Sequence, residues 1–206
     1  MNRQVPCSVK NIKKSVSYNF FYWGPLLLKI KLQPADLKAC AKLCSKKSSL
    51  VDDELAGVIK HEHYISSHKY YKIINPYLNS FQHGYEQWYG KSLTRPTTMV
   101  RAWVNFMVSG EWNPPHIHKD CDFSSVLFVK IPEALKEEHK KFKGTGGGPG
   151  ALSFTYGEHR SHSISQKNFL PEEGDLFIFP ANLTHFVSPF MSNEERISIS
   201  ANFRLD

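Results

Sequence analysis

The sequence predicts a mainly β fold, a sandwich or barrel-like roll entered through helices. Three observations predict it. From about residue 96 onward, short alternating or apolar runs recur, separated by Gly, Pro and Asn. Before that point, apolar residues recur at helical spacing over two stretches. The chain has 206 residues, 41% hydrophobic and 13% aromatic, which is enough for one packed domain and argues against disorder. The expected organisation is a single domain, residues 1–206, with a helical N-terminal support region (1–95) and a β core (96–206).

Residues 1–33 mix polar and aromatic residues without a clear period until "LLLKIKL", where Leu28, Ile30 and Leu32 alternate with lysines as in a strand. Pro34 suits the first turn of a helix over "PADLKACAKLCSKK", with Leu37, Cys40, Ala41 and Cys44 as its apolar stripe. A second helix is expected from about Ser66 to Tyr89. Tyr70, Ile73, Ile74, Tyr77, Phe81, Tyr85 and Trp88 fall near one face, and Pro76 should break or kink it after Asn75.

In "TTMVRAWVNFMV", Val100, Ala102, Val104, Phe106 and Val108 should take one side of a strand and Arg101, Trp103 and Asn105 the other. Further strands are read at "FSSVLFVKI", "ALSFT", "DLFIF", "THFVSPF" and "RISISANFR". "GTGGGPG" at 144–150 reads as a flexible loop between two strands. It is not a phosphate loop, because no GK[ST] follows.

The net charge is +7, which solvated lysines explain as well as an acidic partner does. No basic-aromatic motif accompanies it, so nucleic acid is not an expected partner. The four cysteines form no CxxC, which favours a reducing, cytoplasmic setting (host cytoplasm if phage-encoded). "FFYWGPLLL" is too short and broken to span a bilayer, and neither a signal peptide nor membrane association is expected. Oligomeric state is not legible.

Of ten histidines, His61, His63 and His68 lie in a polar stretch, and His139, His159 and His162 in basic or serine-rich loops; surface positions are expected for all six. "NPPHIHKDCD" differs, holding His116, His118, Asp120 and Asp122 within seven residues. In extended backbone His116 and His118 face one point, and Asp120 could join them. His185, set between apolar residues of "LTHFVSPF", is a further neutral nitrogen ligand for a metal. In "EERISISANFR", Ile197, Ile199, Ala201 and Phe203 alternate with Arg196, Ser198, Ser200 and Asn202. An inward Arg196 would need an anion, best a carboxylate held by two hydrogen bonds, and Ser198 would share its face. Asn105 is placed with them as a further contact to the same molecule.

At these residues the chain resembles the 2-oxoglutarate/Fe(II)-dependent oxygenases, especially their prolyl-4-hydroxylase-like branch of bacteria and marine phages. The likeness covers roughly Met99 to Leu205. It is clearest in "GEWNPPHIH", "GDLFIFPANLTHFVSPF" and "EERISISANF". It implies a double-stranded β-helix (a jelly roll, cupin-like), with Fe(II) and 2-oxoglutarate as cofactors, ascorbate compatible with them, and O2 as the oxidant. The family's HxD begins at His116, but its acidic partner falls on His118. Two ligand sets follow: His116, His118 and His185, or a shifted pair in which Asp120 replaces one imidazole. The spacing from the glycine in "GEWNPPH" favours the first, and the fit of a carboxylate to Fe(II) favours the second. The resemblance assigns 2-oxoglutarate to Arg196 and Ser198 and implies hydroxylation of an unactivated C–H bond. A prolyl residue of a peptide or protein is the first substrate expected, and a small molecule the second. Two rivals remain: a cupin-like metal enzyme that does not use 2-oxoglutarate, and a non-catalytic β-sandwich binding module.

Overall fold

The structure, a computed structural model, describes residues 24–51, 55–91, 96–161 and 163–206. In chain order its elements are β1 (Leu28–Lys31), α1 (Pro34–Ala41), β2 (Glu62–Tyr64), α2 (Ser67–Tyr89), β3 (Thr97–Met107), β4 (Asn113–His116) and β5 (Phe123–Lys130). They continue with α3 (Glu133–Lys141), β6 (Leu152–Thr155), β7 (Gln166–Phe169), β8 (Asp175–Pro180), β9 (Thr184–Val187) and β10 (Arg196–Leu205).

The protein is mainly β, with two antiparallel sheets. The larger runs β1-β8-β5-β10-β3-β2 and the smaller β4-β9-β6-β7. From β3 onward the chain passes repeatedly from one sheet to the other, so strand neighbours are distant in sequence. β10 at the C-terminus lies between β3 and β5. β1, where a strand was read at "LLLKIKL", and β2 add to the larger sheet from the N-terminal segment, β1 on β8 and β2 on β3.

Strand alternation sorts side chains into two apolar layers. On one face of the larger sheet, Val104, Ile199 and Phe203 meet Tyr70, Ile74 and Phe81 of α2. On the other, Phe128, Phe177 and Phe179 meet Leu152, Phe154 and Val187 of the smaller sheet. Ala102, Val104 and Phe106 share a buried face as the alternation predicted, but Val100 and Val108 are exposed. The cause at Val100 is a bulge: Asn202 pairs with Arg101 and Phe203 with Met99, so Val100 is skipped and the strand changes phase there.

α2 runs through Pro76 as one helix, so of the expected break or kink the break does not occur. Proline removes one intrahelical hydrogen bond, but Tyr70 and Ile74 before it and Tyr77 and Phe81 after it are all buried in one layer. Ser66 caps the start of this helix and Gly90, at φ 66°, ends it. α3 has no counterpart in the sequence reading, so 144–150 joins a helix to β6 rather than two strands. It is polar overall, with one buried apolar residue, Leu135. At the entry to β8, Gly174 takes φ 83°, and the Asp175 carboxylate accepts from the Glu172 amide while pairing with Lys29 and Lys31. Among the described residues no helix is long and apolar enough to cross a membrane.

Phe81 packs edge-on against Phe123, with ring centroids 5.0 Å apart. Phe81→Ala should therefore cost about 3–5 kcal/mol in urea unfolding. A loss under about 1 kcal/mol would show that α2 is not anchored through this ring.

Candidate metal centre

β4 and β9 are neighbours in the smaller sheet, and their register sets His116 opposite His185. His118 follows two residues after His116, with its backbone N–H held by the Ala181 carbonyl. The three rings close on one another: centroids are 4.2 Å apart for His116 and His185, 5.1 Å for His118 and His185, and 5.2 Å for His116 and His118. One nitrogen from each lies within 4.8 Å of the others.

Local backbone fixes the tautomers. His116 Nδ1–H donates to the Pro114 carbonyl at 2.7 Å, and His185 Nδ1–H to the Leu183 carbonyl at 2.9 Å. A carbonyl only accepts, so each Nε2 keeps its lone pair. Burial lowers the His116 pKa. Burial first, then His116 and Arg101, pushes His118 down to about 3. Burial first, then the other two imidazoles, does the same to His185. All three are therefore neutral around pH 7, the form in which imidazole binds a metal. Phe179 and Phe154 pack on His185, and Trp103 lies edge-on to His118.

Asp120 stands apart from this group. It is exposed, has φ 59°, and its carbonyl accepts from Arg204. The Asp122 carboxylate accepts the Leu205 amide. Among the described residues the gathered donors are His116, His118 and His185.

These imidazoles open onto a cavity of about 550 Å³ that Arg196, Ser198 and Asn105 also line. Arg196 is 1% exposed and lies over the Phe128 ring. Its guanidinium donates to the Gly150 carbonyl at 3.3 Å, while its Nε is buried without a partner. Burial pulls its pKa down to about 10, leaving it charged at neutral pH. Asn105 donates to Ser200 Oγ at 3.0 Å, and its own carbonyl oxygen is unpartnered. Gly150 is at φ 68°, and an added Cβ would fall 2.8 Å from Leu135, so the backbone beside Arg196 needs glycine.

Of the histidines at 61 and 63, His63 departs from the surface position expected for it. His63 is buried and donates from Nδ1 to the Ser48 carbonyl. Glu62, which the sequence reading passed over, is buried on the cavity wall. The signal was the alternation of "HEHY": once β2 pairs with β3, Glu62 and His63 must face opposite sides. His139 lies in α3 rather than a loop, His159 is exposed, and His162 lies outside the described residues.

Two facing sheets that enclose three convergent imidazoles and a buried guanidinium define a metal-binding β protein. Residues 101–202 match the family model described as "Putative 2OG-Fe(II) oxygenase". No curated protein sequence matches it. Solved structures share its fold. A prolyl-4-hydroxylase from Pseudomonas putida is 15% identical, over 87% of this chain and 92% of its own, with a TM-score of 0.57. HygX from Streptomyces hygroscopicus, solved with nickel and 2-oxoglutarate, is 7% identical over 87% and 82%, with a TM-score of 0.53. A Burkholderia pseudomallei oxidoreductase of the 2OG-Fe(II) oxygenase family is 16% identical over 66% of this chain. The match spans 57% of that protein's length, with a TM-score of 0.41.

Metal titration separates the two ligand sets. His185→Ala should abolish stoichiometric binding of Fe(II) or Ni(II), and Asp120→Ala should change affinity by less than about threefold. Complete loss with Asp120→Ala would replace one imidazole by this carboxylate.

Proposed function

We propose that this protein is an Fe(II)- and 2-oxoglutarate-dependent dioxygenase that hydroxylates an unactivated C–H bond, first of all on a prolyl residue of a peptide or protein. The observation that carries the reading is the Arg196 guanidinium: buried, charged, without an acidic partner among the described residues, and in one cavity with three neutral imidazoles. An unpaired buried charge costs several kcal/mol, and a carboxylate gripping two N–H groups offsets most of that cost. 2-Oxoglutarate supplies such a carboxylate at one end and a metal-chelating keto acid at the other.

In this reading His116, His118 and His185 hold Fe(II) through Nε2 of the first and last and one ring nitrogen of His118. Arg196 and Ser198 hold the far carboxylate, and Asn105 offers its unpartnered oxygen and its amide beside them. When bound, the metal and co-substrate supply oxidative decarboxylation to succinate and carbon dioxide coupled to C–H hydroxylation by O2. The chain's own part is to orient and shield: Phe154, Phe179 and Trp103 wall the imidazoles, and the inter-sheet apolar layer closes the cavity behind them. The reading takes the chain as one oxygenase domain, 96–206 as its double-stranded β-helix core and 1–95 as its support, acting in the cytoplasm.

Prolyl hydroxylation draws on the likeness in fold to the Pseudomonas putida enzyme. HygX shares that fold under a different title, which keeps small molecules in the test panel. A cupin-like enzyme without 2-oxoglutarate, or a binding module, would have no use for a buried unpaired guanidinium.

Iron-dependent succinate release across prolyl peptides and small metabolites tests the reading. Succinate should form only with iron and 2-oxoglutarate together, and fastest with a prolyl peptide. Arg196→Ala should raise the 2-oxoglutarate requirement roughly 10- to 150-fold, equivalent to about 1.5–3 kcal/mol for a charge-assisted contact. An unchanged requirement would detach Arg196 from the co-substrate.

A further inference from the structure

Glu62 lies on β2, the edge strand of the larger sheet, and its register with Asn105 turns its side chain to the cavity. The next residue, His63, packs the opposite way, against Phe106. Glu62 is only 7% exposed, yet its carboxyl makes no hydrogen bond to any described residue. Beside it stands a second buried acid, Glu111, 6% exposed. Glu111 has partners: its carboxylate accepts the Lys60 amide at 3.1 Å and the Val108 amide at 3.0 Å. Neither acid forms an ion pair with a described cation.

We propose that Glu62 reads the substrate, its carboxylate pairing with a positively charged nitrogen that the substrate carries into the cavity. This rests on the oxygenase reading above. The cations already in the cavity are committed or distant. Arg196 faces the co-substrate carboxylate. Arg101 stacks on Trp103 and lies four residues along β3 from Asn105, roughly 13 Å in extended strand. Lys119 is exposed on the segment after β4. A neutral donor would give Glu62 an ordinary hydrogen bond, whereas a cation gives a charge-assisted one and favours the carboxylate form of this buried acid. Among the described residues no group of three metal-binding side chains includes Glu62 or Glu111. Burial first, then Glu111, raises the Glu62 pKa to about 7, the direction expected of an acid awaiting a cationic partner. The substrate class that fits is an ammonium- or guanidinium-bearing small molecule, or a peptide with a basic residue next to the reacting one.

Matched probes test this by calorimetry on the full chain loaded with Ni(II) and 2-oxoglutarate. Cadaverine is compared with 1,5-pentanediol, and N-acetyl-lysine methylamide with its norleucine counterpart. At least one charged probe should bind about tenfold or more tighter than its neutral twin, the worth of one charge-assisted hydrogen bond. The first pair reports a free amine and the second a residue within a chain. Glu62→Gln should erase the preference and leave 2-oxoglutarate affinity within about twofold, and Glu62→Asp should keep part of it, with unchanged circular dichroism in both. No preference in the natural protein, or a preference that survives Glu62→Gln, overturns the proposal. So does loss of 2-oxoglutarate binding in Glu62→Gln, which would give this residue to the co-substrate. Failure of the natural protein to bind 2-oxoglutarate at all sinks the oxygenase reading instead.

Discussion

The structure depends on β10 being paired on both sides, with β3 and β5, while its residues alternate between two environments. Ile199, Ala201 and Phe203 face the layer shared with α2. Arg196, Ser198, Ser200 and Asn202 face the cavity. A slip of one residue would exchange the two sets, pushing a guanidinium into hydrocarbon and isoleucines into a polar pocket. The apolar set therefore holds the polar set in place, and the packing of a helix on one face fixes the chemistry on the other.

Inside the cavity, charge is arranged sparingly. Three imidazoles are kept neutral by burial and by one another, so a divalent ion meets lone pairs rather than protons. Arg196 is the reverse case, a charge that burial cannot neutralise, in a wall built around it by Phe128 and the Gly150 carbonyl. In the proposed three-imidazole set no carboxylate would partly cancel the metal's charge, so an anionic co-substrate would carry more of that task than in a site with an acidic ligand. Asp120 does not fill that place, because its left-handed backbone and its tie to Arg204 hold it at the exposed rim.

Sequence reasoning went furthest where alternation was clean. "RISISANF" placed Arg196 and Ser198 on one face, and the structure has both buried there. "NPPHIH" put two imidazoles toward one point, and the structure closes their centroids to 5.2 Å. It fell short where pairing overrode local pattern. Val100 looked like the start of a buried row until a bulge removed it from register. Pro76 looked like a break until packing on both sides carried the helix through. His63 looked like a solvated residue because burial of a short edge strand comes from its partner and not from its own composition.

The sequence by itself determined the mainly β character, the strands that carry the site, and the residue types able to hold a metal and an anion. These follow from side-chain periodicity and from imidazole and guanidinium chemistry, which are local. Only the tertiary structure decided that His185 joins His116 and His118, that Asp120 does not, and that Glu62 shares their cavity. Those outcomes depend on which strands become neighbours, and the hydrogen-bond register of strands far apart in the chain cannot be read from any one of them.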